Sequence, residues 1–127
     1  MKLLSGKIIM VVDDEFFIRE VFRQNFEMSG ATVIEAESGK KAMELLRAQS
    51  VDVVISDVRM ANGDGIFLAK AILTELKDRP NLFFCSGFYD ISKETQAELE
   101  VIEIFGKPFQ WEKILAAVCV SLGLPTS

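Results

Sequence analysis

Three apolar runs in this chain each end on a charged side chain. Ile8-Ile9-Met10-Val11-Val12 stops at Asp13-Asp14, Val53-Val54-Ile55-Ser56 at Asp57, and Val101-Ile102-Glu103-Ile104-Phe105-Gly106 at Lys107-Pro108. If the runs are parallel strands, their carboxyl ends lie side by side at one sheet edge. Three carboxylates then meet one ammonium, and such a cluster repels itself unless something cationic sits in it. The chemistry it suits is holding a divalent cation and handling a phosphoryl group. Taken singly, each residue has a plainer account: Asp14 as a helix N-cap, Lys107 as a surface charge, Ser86 as a turn residue.

The segments between the runs supply the frame. After a strand at about 7–13, Ile18, Val21, Phe22 and Phe26 recur at helical spacing, which predicts a helix over about 15–28 that Gly30 ends. Thr32-Val33-Ile34-Glu35-Ala36 forms a second strand, and Ser38 is the N-cap of a helix carrying Ala42, Leu45 and Leu46. A third strand at about 52–56 leads through Met60-Ala61-Asn62-Gly63-Asp64-Gly65 into a helix with Ile66, Leu68, Ala69, Ile72, Leu73 and Leu76. Asp64 precedes Gly65 at the start of that helix, where a cap or a favourable dipole contact accounts for it, outside the acid cluster.

Pro80 breaks the helix, and Leu82-Phe83-Phe84-Cys85 is a fourth strand. A mostly polar helix at about 91–99, anchored by Ile91, Ala97 and Leu99, is expected to be the loosest element. A fifth strand at about 101–106 and a helix at about 110–122, carrying Ile114, Leu115, Val118 and Leu122, complete the pattern. Five β-α units predict an α/β fold: a doubly wound, flavodoxin-like, five-stranded parallel sheet in the order 2-1-3-4-5 with five helices. The crevice of that topology opens at the carboxyl ends of strands one and three, where Asp13, Asp14 and Asp57 fall.

At 127 residues, half of them apolar, the chain suits one domain with a full core over 1–127. No repeat or linker is visible, and the tail after Gly123 is too short for an output domain. A net charge of −5 without a basic stripe argues against nucleic acid as a partner. No stretch approaches the roughly 20 apolar residues of a membrane span, and Met1-Lys2-Leu3-Leu4 lacks a cleavage site. A cytoplasmic chain is expected. Cys85 and Cys119 sit within apolar patterns as reduced thiols, with a disulfide or metal pair as the alternative.

Asp13-Asp14, Asp57 followed by Met60 and Gly65, Ser86-Gly87, and Lys107-Pro108-Phe109 together resemble the receiver domain of bacterial two-component response regulators. The resemblance covers essentially the whole chain. It implies that Asp57 is a phosphoacceptor, helped by Lys107 and a switch hydroxyl on Ser86. It implies Mg²⁺, with Mn²⁺ as an alternative, held by Asp13, Asp14, Asp57 and the backbone carbonyl of Arg59. It also implies a cis peptide before Pro108. Such a domain is not an enzyme in its own right, since it catalyses only its own phosphoryl uptake and hydrolysis.

The implied partners are a sensor histidine kinase or histidine phosphotransfer protein and a downstream protein target. A homodimer through helix four, strand five and helix five is a further option. The chain contains no histidine, so it cannot be its own phosphohistidine donor. Phe16 and Phe17 open the first helix, where at least one exposed ring would be either an edge-of-core aromatic or a contact for the phosphodonor.

Four positions depart from or tune the family pattern. Ala61 replaces the usual proline, which predicts a less rigid turn. Ile104 replaces the usual aromatic switch residue, and Phe105 points to the opposite face. Arg59 and Phe88 occupy positions that set phosphoryl lifetime, and a ring at 88 predicts slow self-dephosphorylation. The alternative function is a degenerate receiver acting as a phosphorylation-independent interaction module. A flavin carrier would want a hydroxyl- and glycine-rich loop where Asp13 and Asp14 stand, and a haloacid-dehalogenase-type phosphatase would want Asp at position 59.

Overall fold

The five apolar runs become strands β1 (Ile8–Val12), β2 (Thr32–Ala36), β3 (Val53–Ser56), β4 (Asn81–Ser86) and β5 (Val101–Gly106). The computed structural model describes residues 2–87 and 91–126. All neighbouring strands pair in parallel, in the order β2-β1-β3-β4-β5. Helices α1 (Phe16–Met28), α2 (Gly39–Ala48), α3 (Gly65–Glu75), α4 (Lys93–Glu98) and α5 (Trp111–Ser121) alternate with them. Among the described residues no helix is long and apolar enough to cross a membrane.

Side chains of a strand alternate between the two faces, and here both faces are covered. Ile9, Val11, Val53, Ile55, Phe83, Cys85 and Phe105 pack with Phe22 and Phe26 of α1 and Ile114 and Val118 of α5. Met10, Val12, Val54, Leu82 and Phe84 meet Ala42, Met43 and Leu46 of α2 and Leu68, Ala69 and Ile72 of α3. Double burial is why the runs are apolar at nearly every position. Cys85 and Cys119 are free and buried. Burial pushes the Cys85 thiol up to about 12, so it is an inert part of the core.

Two expectations about helices need correcting. Val21 is 41% exposed, because the inward stripe of α1 is Ile18, Phe22 and Phe26, spaced four apart. A run of four-residue steps leaves the position one short of Phe22 at the edge. The fourth helix is shorter than 91–99, and Ala97 is exposed. Leu99 is buried beside it, and the Gln96 side-chain amide donates to the Val101 carbonyl at 3.1 Å.

Register sets the site. Val12 pairs with Ser56, which places Asp13 beside Asp57, and Ser86 pairs with Gly106, the residue before Lys107. A bulge lies on β5: Leu82 pairs with Val101, Phe83 with Glu103, and Ile102 between them is turned out. The extra residue lets Val101 and Ile104 face the same cluster while Phe105 faces the other, as expected for Ile104 and Phe105. Phe26 is fully buried between the sheet and Trp111. Phe26→Ala should therefore cost about 3–5 kcal/mol in urea unfolding; a loss under about 1 kcal/mol would mean that this face is not packed as described.

Candidate functional site

Asp13 is tied down on every side. Its N–H donates to the Ala36 carbonyl at 3.1 Å, Oδ1 accepts from the Glu15 N–H at 2.9 Å, and Oδ2 accepts from Lys107 Nζ at 3.0 Å. The carboxylate is almost wholly buried. Asp14 is exposed and does not cap α1, whose N-cap is Glu15 with no side-chain bond, so the N-cap alternative is set aside.

Asp57 follows β3 and is also buried. Its N–H donates to the Val12 carbonyl at 2.8 Å, and Oδ1 accepts from the Val58 N–H at 2.8 Å. Oδ2 lies 3.5 Å from Lys107 Nζ. α3 starts hard against this residue. A Cβ on Gly65 would come within 2.6 Å of the Asp57 carbonyl oxygen, so only glycine lets the helix begin there. Asp64 caps α3 through the Phe67 N–H, and Ser38 caps α2 through the Lys41 N–H, both as expected.

The loop between β3 and α3, where Ala61 stands in place of proline, is held by backbone hydrogen bonds at its base and at its tip. Gly65 N–H closes it onto the Val58 carbonyl at 2.8 Å. The first amides of α2 hold its tip, Gly39 to the Gly63 carbonyl at 2.7 Å and Lys40 to the Asn62 carbonyl at 3.2 Å. These are donors that a helix start otherwise leaves without an intrahelical partner. Arg59 lies in this loop, exposed, two residues past Asp57.

Ser86 ends β4, buried, and its carbonyl accepts from the Lys107 N–H at 3.2 Å. The Lys107-Pro108 peptide is cis. Phe88 lies outside the described residues. Phe16 and Phe17 are both exposed, the second by 80%.

One oxygen from each of Asp13, Asp14 and Asp57 lies within 4.8 Å of the others. Burial holds the Asp13 carboxyl above its ordinary range, and the Asp57 charge adds to this against the Glu15 amide and Lys107. For Lys107, burial works against the charged form. The hydrogen bond to Asp13 and the charges of Asp13 and Asp57 outweigh it, and the ammonium is held above its ordinary range. An all-oxygen set with two buried members and one open to solvent fits a hard divalent ion such as Mg²⁺.

Arg19 was not singled out by the sequence pattern. Its Nη1 donates to the Asp13 carbonyl at 2.8 Å and its Nε to Glu35 Oε1 at 3.2 Å. An arginine one turn into a helix that follows an acid pair, with a glutamate on the adjoining strand, is the signal that would have found it.

A family model described as the response regulator receiver domain matches residues 9–119. The chain is 30% identical to the chemotaxis protein CheY of Bacillus subtilis over 112 residues, 87% of this chain and 92% of that protein. It is 28% identical to sporulation initiation phosphotransferase F of the same organism, over 91% of this chain and 93% of that protein. Other relatives are longer. The C4-dicarboxylate transport transcriptional regulatory protein DctD of Rhizobium meliloti is 31% identical over 84% of this chain and 23% of its own length. Across four such relatives the chain spans from 23% to 47% of their length. Among solved structures, a response regulator receiver protein from Pseudomonas putida superposes with a TM-score of 0.82 at 24% identity, over 90% of this chain and 96% of that one. The non-phosphorylated HemR receiver domain from Leptospira biflexa gives 0.81 at 25% identity, over 94% and 97%.

The raised Asp13 carboxyl has a testable sign. The folded state binds this proton more tightly than the unfolded state. The stability that Asp13 contributes is therefore full below its ordinary value of 3.8 and is lost as pH climbs through the raised folded value. Asp13→Asn should raise the thermal midpoint of metal-free protein by a few degrees at neutral pH, with the gain shrinking in acid. A midpoint lowered at neutral pH would contradict the electrostatic account.

Proposed function

Since the chain belongs to the response regulator receiver domain family, we propose that it is a phosphorylation-controlled signalling switch with Asp57 as its phosphoacceptor. The observation that carries this reading is the meeting of Asp13, Asp14 and Asp57 within 4.8 Å, with Lys107 Nζ 3.0 Å from Asp13 and 3.5 Å from Asp57. Oδ1 of Asp57 is tied to the Val58 amide, which leaves Oδ2 as the oxygen that attacks phosphorus. The P–N bond of a phosphohistidine breaks as the O–P bond forms, and the imidazole released takes a proton from solvent. Lys107 gives a phosphoryl oxygen a fixed cationic partner, and Ser86 gives it a hydroxyl donor.

Asp13, Asp14 and Asp57, with the backbone carbonyl of Arg59, would hold Mg²⁺ or Mn²⁺. The ion would supply positive charge against the anion that approaches Asp57. The domain promotes only its own phosphoryl gain and loss. With no histidine in the chain, a sensor histidine kinase or histidine phosphotransfer protein is the donor. Phe16 and Phe17, exposed at the start of α1, are its contact. Output passes to a downstream protein, or to a second copy, at the face of α4, β5 and α5, where Ile102 and Val120 are exposed. Ile104 cannot act as the usual aromatic toggle, so loop and α4 movement carries the signal. Residues 1–127 are read as one receiver domain, supported by the single five-stranded sheet and the family match over residues 9–119.

Incubation with acetyl phosphate and Mg²⁺, followed by intact mass, should add one phosphoryl group to wild type and none to Asp57→Ala. In the same assay Phe17→Ala should match wild type with acetyl phosphate and fall behind it with the kinase as donor. An unmodified wild type would reduce the chain to a phosphorylation-independent interaction module.

A further inference from the structure

We propose that Arg19 is a positioning residue that sets the direction of Asp14 within the acid cluster; the inference rests on the metal-site reading above. Asp13 has its own anchors, through the Ala36 carbonyl, the Glu15 amide and Lys107. Asp14, the exposed member of the three, takes its place from the backbone that carries it. The peptide plane joining Asp13 to Asp14 is fixed at its carbonyl by Arg19 Nη1 at 2.8 Å. Because a peptide is planar, holding that oxygen sets where the Asp14 Cα and its side chain emerge.

The guanidinium is itself held. Its Nε donates to Glu35 Oε1 at 3.2 Å, and its side chain is 15% exposed. The Phe16 ring lies 5.8 Å from its central carbon. Glu35 stands on β2 opposite Val11 of β1, so the brace runs from the edge strand to the turn after β1. Arg23 Nε, 3.6 Å from the other Glu35 oxygen, steadies the glutamate. A planar fork can bond the Asp13 carbonyl and Glu35 together, which a lysine ammonium on a flexible stem does less well.

Charge and position make opposite demands at this spot. A cation bonded to the backbone carbonyl of Asp13 repels Mg²⁺ in the cluster, so if Arg19 acted only through its charge, removing it would tighten metal binding. If it positions Asp14, removing it weakens binding, as losing the outer support of a metal ligand does.

The test is calorimetric titration with Mg²⁺ of wild type, Arg19→Ala, Arg19→Lys, Glu35→Gln and the double variant Arg19→Ala/Glu35→Gln. The metal-free thermal midpoint of each is recorded, and titrations run well below it. Arg19→Ala should weaken Mg²⁺ binding about tenfold or more, and Arg19→Lys should fall between it and wild type. Glu35→Gln should weaken binding by a smaller factor and add nothing once Arg19 is gone. Unchanged or tighter binding in Arg19→Ala, or full additivity of Glu35→Gln, overturns the proposal while leaving the metal site standing. Should Arg19→Ala fail to fold, Arg19→Lys and Glu35→Gln decide the matter, and wild-type affinity in both overturns it. A wild type that does not bind Mg²⁺ overturns the metal-site reading and this inference with it.

Discussion

Two buried carboxylates, Asp13 and Asp57, share a single ammonium. Taking charges out of water is costly, and the cost is met only where geometry is good and the remaining lone pairs are satisfied. Each carboxylate therefore spends one oxygen on a backbone amide of its own turn and turns the other to Lys107. The arrangement remains acidic, and that residual acidity is what makes the site fit for a divalent cation and a phosphoryl group.

The rest of the fold serves to hold these charges together. Parallel pairing of β1 with β3 brings Asp13 beside Asp57, and pairing of β4 with β5 delivers Lys107 from the far side. Two apolar layers bury the sheet on both faces, so the strand ends cannot drift apart without exposing core. The loops are pinned by helix starts: α3 by the close approach at Gly65, and the loop between β3 and α3 by the first amides of α2. Arg19 adds a second side-chain brace to the first turn, beside the bond from the Glu15 amide to the Asp13 carboxylate.

Most of this was legible in the residues. Strands buried on both faces announce themselves as unbroken apolar runs, and a run that ends abruptly on Asp or Lys marks the sheet edge. The cap at Ser38 was equally plain, and at Asp64 the structure chooses the cap, through the Phe67 N–H, over a dipole contact alone. Periodicity failed where a residue lies at the margin of a stripe, as Val21 does, or where a helix has almost no core face, as around Ala97. The bulge at Ile102 left no mark, because an extra residue in an edge strand still looks like strand. The brace of Arg19 on Glu35 joins residues 16 apart through tertiary structure, which no single-element pattern encodes.

The most direct test of the acid nest is a crystal grown with Mn²⁺ and measured at the metal's absorption edge. The account predicts one anomalous peak among the carboxylates of Asp13, Asp14 and Asp57, about 2 Å from the ligating oxygens. No peak there, or a peak elsewhere with Asp14 turned away from its neighbours, would contradict it.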